Sequence, residues 1–167
     1  MNNFRIIPLS EGYVAEIKFA RKDFYGNELL EEIATGYGPC RISLEPFKPG
    51  EDTRILFSHS PFEIKNIFDQ PGPVFIHKKK IKAYEDIYRF PPAIKADIQN
   101  FPLTLIGYNK QQKMDYARLV GDLDIDELIA EVFEVREDIE FLHARNAEAG
   151  CFICKIERAS TNSPRPF

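Results

Sequence analysis

Proline and glycine interrupt the middle of this chain at short intervals, at Pro46, Pro49, Gly50, Pro61, Pro71, Gly72, Pro73, Pro91 and Pro92. Because both residue types end regular secondary structure, the segments between them have the length of strands. Two of these segments, TRILFSHS at 53–60 and PVFIH at 73–77, are predicted strands. The prolines at 91 and 92 predict a short helix over 91–99, since proline favours the first turn of a helix.

The N-terminal part of the chain predicts a strand, two helices and a second strand. The strand covers residues 4–8, and Ser10 is a suitable N-cap for a helix over 11–21, although the apolar residues of that segment also alternate like those of a strand. A second helix is predicted over 27–34. Residues 40–47, CRISLEPF, alternate apolar with polar side chains and therefore predict a strand buried on one face.

The C-terminal half predicts two hairpins with a helix between them. The first hairpin joins 103–109 to 114–120 across a polar loop. The helix covers 124–135, because Asp124 with Glu127 resembles a capping box and an apolar stripe follows. Strands joined mostly by hairpins favour an α+β fold: a single domain over 1–158 with a mainly antiparallel sheet, two to four helices packed on it, and a flexible tail over 159–167.

Charge and cysteine content exclude several classes of function. The net charge of −4 gives no attraction for nucleic acid or an anionic membrane. The N-terminus has no apolar run long enough for a signal peptide or a membrane span, so we expect a cytoplasmic protein. We also expect no bound cofactor. Its three cysteines are an odd number, which favours free thiols over disulfides. The basic run at 78–82 predicts a solvated turn, with a phosphate-binding patch as the alternative.

The segment FLHARNAEAGCFICKIER, residues 141–158, predicts a hairpin whose loop is at 146–150. In this register Arg145 lies opposite Cys151 and His143 opposite Ile153, so that His143, Arg145 and Cys151 share one outward-looking face. The opposite face is apolar and is expected to be buried, with Leu142, Ala144, Phe152, Cys154 and Ile156. Because Cys151 and Cys154 then point to opposite faces, no shared metal site is expected.

The outward face allows two kinds of chemistry. A guanidinium beside a cysteine favours its thiolate, and a histidine nearby can act as base. Cys151 would then be a catalytic nucleophile and His143 its base. Alternatively, Arg41, Arg145, His77 and His143 could bind an anionic small molecule, since arginine makes bidentate contacts with such groups. A purely structural role for the same residues is left open, with Cys40 a buried thiol and Arg41 an ion-pair partner of Glu45 or Glu51.

Four segments together carry a resemblance to a known family: GPCRISL followed by PF and GED, GPVFIH at 72–77, IGYN at 106–109 and HARNAEAGCF at 143–152. They resemble the uncharacterised bacterial family DUF1203 over roughly residues 4–158. The matching positions are Cys40, Arg41, His143, Arg145, Asn146, Gly150 and Cys151, which adds Asn146 to the binding candidates. Many relatives carry a second cysteine where this chain has Ser43. The resemblance implies a single domain of bacterial origin and supplies no mechanism.

From the sequence we therefore expect a domain that binds a small anionic molecule through Arg41, Arg145, Asn146 and His77. One alternative is a thiol-dependent hydrolase or acyltransferase that uses Cys151 and His143. A third hypothesis is an interaction module whose exposed sheet face forms a homodimer.

Overall fold

The computed structural model describes residues 1–160. Eight strands occur in these residues: β1 (Phe4–Ile7), β2 (Leu30–Ile33), β3 (Thr53–His59), β4 (Gly72–His77), β5 (Leu103–Tyr108), β6 (Met114–Leu119), β7 (Phe141–Asn146) and β8 (Phe152–Arg158). They form two antiparallel sheets, a five-stranded one in the order β1-β8-β7-β5-β6 and a three-stranded one in the order β2-β3-β4. Most of the tail predicted over 159–167 lies outside the described residues.

Within residues 1–160 three helices accompany the sheets: α1 (Glu11–Ala20), α2 (Pro92–Lys95) and α3 (Ile125–Val135). The fold is broadly α+β, as predicted, but most of its regular structure is β, and two sheets replace the single sheet that we expected. The helix predicted over 91–99 is only one turn long. None of the three helices is long and apolar enough to cross a membrane.

Side-chain caps start the two longer helices where the sequence predicted them. Ser10 Oγ accepts a hydrogen bond from Tyr13 N at 3.1 Å, and Asp124 Oδ1 accepts one from Glu127 N at 3.2 Å. The apolar stripe of α3 is buried in the core beside the five-stranded sheet through Ile125, Leu128, Ile129, Val132 and Phe133. Burial of such side chains stabilises a fold by about 1.5–3 kcal/mol each, so α3 is fixed by packing more than by its cap.

The helix predicted over 27–34 is wrong, because this segment forms the edge strand β2. Its main chain pairs with β3, and Arg54 Nη2 of β3 donates to Glu32 Oε1 at 2.7 Å. Helix propensity is a weak preference that such pairing overrides.

The strand predicted over 40–47 is also wrong. Cys40 N donates to Glu45 O at 3.0 Å and Leu44 N donates to Cys40 O at 2.9 Å, which closes a compact turn. All residues from Cys40 to Leu44 are buried, including Arg41 and Ser43, so the alternation in the sequence does not separate a buried from an exposed face.

The turn at 40–44 is hydrogen-bonded to strand β4 and to the segment between β1 and α1. Arg41 N donates to Phe75 O of β4 at 2.9 Å, and Leu9 N, between β1 and α1, donates to Arg41 O at 3.0 Å. A core under α1 and the three-stranded sheet contains Phe152, the first residue of β8. The turn and Phe152 therefore lie where the two sheets meet.

Asp23 holds the turn after α1 against β3. Its Oδ1 accepts hydrogen bonds from Tyr25 N at 2.9 Å and Asn27 N at 3.0 Å, and its Oδ2 accepts one from Ser58 N at 2.9 Å. Burial raises the pKa of the Asp23 carboxyl, but the hydrogen bonds from Ser58, Asn27 and Tyr25 outweigh it and leave the pKa below its ordinary value.

We expect Asp23→Ala to lower the free energy of unfolding by about 2–4 kcal/mol, because it leaves several backbone N–H groups without an acceptor. Urea titration at pH 7 measures this loss. The matched control is Asp122→Ala, since Asp122 is exposed and forms no hydrogen bond or ion pair within residues 1–160; its stability should change by less than about 0.5 kcal/mol. Equal losses in the two variants would contradict the assignment.

Candidate functional site

The final hairpin forms with β7 and β8 antiparallel, as predicted, but its register differs. Arg145 lies opposite Phe152 instead of Cys151, and the register shifts between Ala144 and Arg145. A bulge of this kind places an extra residue in one strand and redirects the neighbouring side chains. At the start of β8 the side chains therefore do not lie on the faces of the hairpin that the sequence predicted.

The shift moves Phe152 to the face that carries His143. The rings of His143 and Phe152 lie 5.1 Å apart between centroids, and His143 lies opposite Lys155 instead of Ile153. Ile153 instead joins Cys154 in the core beneath α3. The placement of Phe152 on the face with Cys154 was wrong, whereas the burial of Cys154 is confirmed.

The face with His143 and Arg145 does not look outward into solvent. His143 is 0% exposed and Arg145 6% exposed. Phe62, from the segment between β3 and β4, covers His143, with ring centroids 5.0 Å apart. What the sequence predicted as an open sheet face is the interior of the protein.

Two guanidinium groups hold the backbone on either side of Cys151. Arg145 Nη1 donates to Gly150 O at 2.9 Å, and Arg41 Nε donates to Phe152 O at 2.6 Å. The structure therefore brings Arg41, Arg145 and Cys151 together, although Arg41 is more than a hundred residues away in sequence. Sequence spacing could not show this proximity, because it depends on the turn at 40–44.

Neither guanidinium has an acidic partner. Within residues 1–160 no carboxylate forms a salt bridge with Arg41 or Arg145, including Glu45 and Glu51, which we considered as partners of Arg41. Arg41 is 2% exposed and also donates to Pro39 O. A buried charge without an acidic partner costs several kcal/mol, and here two such cations bond to the carbonyls on either side of Cys151.

Burial lowers the pKa of Arg41 to about 10, and the neighbouring sulfurs of Cys151, Cys40 and Cys154 partly offset this effect, in that order. The guanidinium is still protonated at neutral pH. It is therefore a fixed positive charge that lies close to all three cysteines of the chain.

His143 lies among aromatic rings without a hydrogen-bond partner. Its Nδ1 and Nε2 are both buried and unpaired within the described part of the chain. Ring centroids at 4.8–5.2 Å surround it, those of Phe62, Tyr108, Phe141 and Phe152. Burial lowers the pKa of His143 far below its ordinary value, and the positive charges of Arg145 and Lys155 lower it further. The imidazole is neutral near pH 7 and is a weak base.

A third unpaired polar atom lies in the same region. Arg145 Nη2 is buried and has no hydrogen-bond partner within residues 1–160. Tyr108 is its neighbour: burial raises the pKa of Tyr108, and the charge of Arg145 and a side-chain hydrogen bond with Arg145 partly offset that effect. Buried polar groups are paired in the great majority of cases, so the unpaired atoms of His143 and Arg145 single out this region of the described structure.

A cleft of about 370 Å³ opens beside this region. Its walls include Tyr13 of α1, His59 at the end of β3, Phe62, and Phe152 with Lys155 from β8. The Tyr13 hydroxyl is hydrogen-bonded to His59 Nδ1 at 2.9 Å. Phe62 and Phe152, whose rings contact His143, line this cleft, whereas His143 itself does not.

The sequence did not single out His59 or Lys155. Burial lowers the pKa of His59 to about 4, and the charge of Arg41 lowers it as well, so His59 is neutral at pH 7. No spacing in the sequence relates His59 to Tyr13, its partner on α1. Lys155 could have been found from the correct register of the hairpin, which places it opposite His143.

Two predicted binding residues have other surroundings. His77 is 5% exposed and its ring is tilted at 56° against that of Phe47, with centroids 4.6 Å apart; within residues 1–160 no hydrogen bond or ring contact joins it to His143, Arg41 or Arg145. Asn146 Oδ1 accepts hydrogen bonds from Glu148 N and Ala149 N at 2.9 and 2.7 Å, which closes the hairpin loop. His77 therefore lies apart from Arg145, whereas Asn146 directly follows Arg145 and donates from its backbone N to Cys151 O at 2.9 Å while its side chain serves the loop.

The three cysteines differ in their surroundings and all are free thiols. Cys40 and Cys154 are buried; burial raises the pKa of Cys154 to about 12, with a smaller opposing effect of Arg41. Cys151 is partly exposed. The described residues contain no group of three or more His, Cys, Asp or Glu side chains arranged to hold a metal ion.

Comparison with known proteins gives one match. A family model described as a protein of unknown function (DUF1203) matches residues 37–158. This range begins before the turn that carries Arg41 and ends with β8, so it contains Arg145, His143 and Cys151. No curated protein and no solved structure matches the chain.

We expect His143→Phe to raise the free energy of unfolding by about 1–2 kcal/mol at pH 7, because it removes two unpaired nitrogens and keeps an aromatic ring among aromatic rings. The gain should grow at pH 5. The pKa of His143 is lowered in the folded state, so only the unfolded chain binds a proton below about pH 6.5, and stability falls by up to about 1.4 kcal/mol per pH unit. Urea titrations at pH 7 and 5 measure both effects; an equal fall in the variant and the original protein would contradict a neutral His143.

Proposed function

This chain belongs to the family of proteins of unknown function DUF1203, and we propose that it binds a small anionic molecule between its two sheets, at Arg41 and Arg145. The anion occupies the region next to Cys151, and the cleft beside His59 and Lys155 is its entrance. In this proposal the protein is a binding domain and need not catalyse a reaction.

One observation carries this proposal: the two buried arginines that bond to the backbone on either side of Cys151 form no salt bridge with any carboxylate of residues 1–160. A bound anion would provide the missing charge and would accept the hydrogen bond that Arg145 Nη2 does not make. Charge-assisted hydrogen bonds of this kind are stronger than those between neutral groups. The same binding event would relieve the cost of the unpaired charges.

The size of the entrance cleft favours a small molecule as the ligand. The cleft volume of about 370 Å³ is at the lower end of the range for small-molecule sites. Neutral His143 and His59 add hydrogen-bonding groups without adding charge. Lys155 adds a positive charge at the entrance, although its Nζ already lies 3.0 Å from Glu157 Oε1.

We also assign the protein to the cytoplasm of a bacterium. Three free cysteines, one of them partly exposed, favour a reducing compartment over an oxidising one. The bacterial origin rests on the resemblance of its motifs to the family.

A thermal-shift screen tests the binding proposal with phosphate, pyrophosphate, sulfate, citrate and oxalate as probes. We expect at least one of them to raise the Tm by several degrees at saturating concentration, since ligand at 100 times Kd adds about 2.7 kcal/mol. The shift should disappear in Arg145→Met, which replaces the charged side chain with an unbranched apolar one. Arg145→Met itself should be at least as stable as the original protein, because it removes an unpaired buried charge.

Arg118→Met is the matched control, because Arg118 lies on the exposed strand β6 and carries the same charge. It should retain the full ligand-induced shift. The proposal fails if no probe stabilises the original protein, or if Arg145→Met is stabilised as much as Arg118→Met.

A second candidate function is a thiol-dependent hydrolase or acyltransferase with Cys151 as nucleophile. The observation that favours it is the position of Cys151, a partly exposed thiol that interacts with the buried charge of Arg41 more strongly than the other two thiols do. In such a reaction the sulfur would form a thioester with an acyl group and expel an alcohol or amine, and water would then release the acid. His143 is a poor general base for this reaction, because its pKa is so low.

Iodoacetamide labelling followed by peptide mass spectrometry tests the second candidate. We expect Cys151 to be alkylated before Cys40 and Cys154, which are buried. A nucleophilic Cys151 should react readily at pH 7, well below the range in which an ordinary thiol reacts. Cys151→Ser serves as the control for site assignment. Reaction only above pH 8 would exclude the thiol-dependent enzyme and leave the binding proposal intact.

A further inference from the structure

A second concentration of positive charge lies on another face of α1. Two adjoining clefts of about 730 and 440 Å³ run along the helix beside β3 and the segment that follows β4, and both are lined by Lys18 and Lys78. We call these two clefts the basic groove. Neither Arg41, Arg145, His143 nor Cys151 lines it, and it shares no lining residue with the cleft beside His59.

Basic side chains outnumber acidic ones in the basic groove. Five are basic, Lys18, Arg21, Lys22, Lys78 and Lys80, and three are acidic, Glu11, Glu28 and Glu31. The chain as a whole has the opposite balance, with a net charge of −4. The basic groove is therefore a local exception to the acidic character of the protein.

Most of these cations have no carboxylate to neutralise them. Lys78 Nζ forms a salt bridge with Glu31 Oε1 at 2.6 Å, and Glu11 Oε1 accepts a hydrogen bond from Ala83 N at 3.0 Å. Within the described residues Lys18, Arg21, Lys22 and Lys80 form no ion pair. The positive charge of the groove is thus available to an anion.

Lys18 occupies the junction of the two clefts and is partly buried. Its Nζ donates one hydrogen bond, to Lys78 O at 3.0 Å, which leaves its other donors free. Burial lowers the pKa of Lys18, with a smaller opposing effect of the Cys40 sulfur. An anion beside Lys18 would therefore meet an ammonium group that is partly removed from water.

The walls between these charges are apolar. Val14 of α1, Leu29, Ile42, Ile55 and Ile81 line the groove, and Val14, Ile42 and Ile55 are buried core residues whose edges reach it. A ligand that was only a charged group would leave this surface in water. The combination of an apolar floor with a cationic rim fits a molecule that is itself amphipathic.

We propose that the basic groove is a second binding site, for an organic anion that joins a phosphate, sulfonate or carboxylate group to an aromatic or acyl portion. Lys18, Arg21 and Lys22 contact the anionic group, and the apolar floor contacts the remainder. This site is independent of the one at Arg41 and Arg145 and does not depend on the function proposed for it.

The backbone conformation of Arg21 allows a test that separates loss of binding from loss of stability. Arg21 caps α1 with φ at 55°, in the left-handed region where glycine is the preferred residue. Arg21→Gly therefore removes a cation from the groove and relieves backbone strain at the same time. A loss of binding in this variant could not be attributed to poor folding.

The experiment is a fluorescence titration with 8-anilinonaphthalene-1-sulfonate, which carries a sulfonate on an aromatic body. We expect saturable binding of one molecule per chain that weakens as salt is added. Arg21→Gly should weaken the affinity about tenfold or more while raising the Tm. Lys18→Met should weaken the affinity by a similar factor, and pyrophosphate should compete with the dye.

Lys79→Met is the matched control. Lys79 lies between Lys78 and Lys80 in sequence but does not line either cleft, and its charge acts on His77. This variant and Arg145→Met should each keep the dye affinity within about twofold. The proposal is overturned if the original protein does not bind the dye saturably, if Lys79→Met weakens binding as much as Lys18→Met, or if Arg145→Met abolishes it.

Discussion

Arg41 is the residue through which the two sheets of this protein are joined. Its backbone N–H bonds to Phe75 of the three-stranded sheet, its carbonyl accepts a hydrogen bond from Leu9, and its guanidinium bonds to Phe152 of the five-stranded sheet. Each contact satisfies a polar group that would otherwise be buried without a partner. The charge of the guanidinium is the one property that these contacts leave uncompensated. The hydrogen-bonding groups at this junction are therefore paired, whereas the positive charge of Arg41 has no acidic partner within residues 1–160.

The sequence predicted those parts of the fold that depend on local signals. The caps at Ser10 and Asp124 and the hairpin around 146–150 were found because each depends on residues a few positions apart. The strand β2 and the turn at 40–44 were missed because pairing with β3 and β4 decides them. The face of Phe152 was missed for a different reason, since a bulge reverses the alternation from which side-chain direction is inferred.

The candidate site was predicted in part, and the missing part is three-dimensional. Arg145 and Cys151 were expected to face each other across the hairpin, but Phe152 lies opposite Arg145, whose side chain bonds to the carbonyl of Gly150 just before Cys151. Arg41 joins them only through the turn at 40–44, and His59 and Lys155 enter only through the cleft between α1 and β8. A motif in the sequence identifies chemistry that is close along the chain, whereas a site between two sheets collects residues from distant segments.

A comparison among the arginines of the chain separates a structural role from a binding role. Arg158 donates from Nε, Nη1 and Nη2 to the carbonyls of Ile139, Phe133 and Arg136, and Arg54 bonds to Glu32 and Thr35. These two side chains show how this fold satisfies a guanidinium that serves only to hold it together. Arg145 has the same burial as Arg54 but lacks both a carboxylate and a partner for Nη2. Arg54 and Arg158 are satisfied in this way by the fold itself, and the unpaired Nη2 of Arg145 is the feature that supports our proposal of a bound anion.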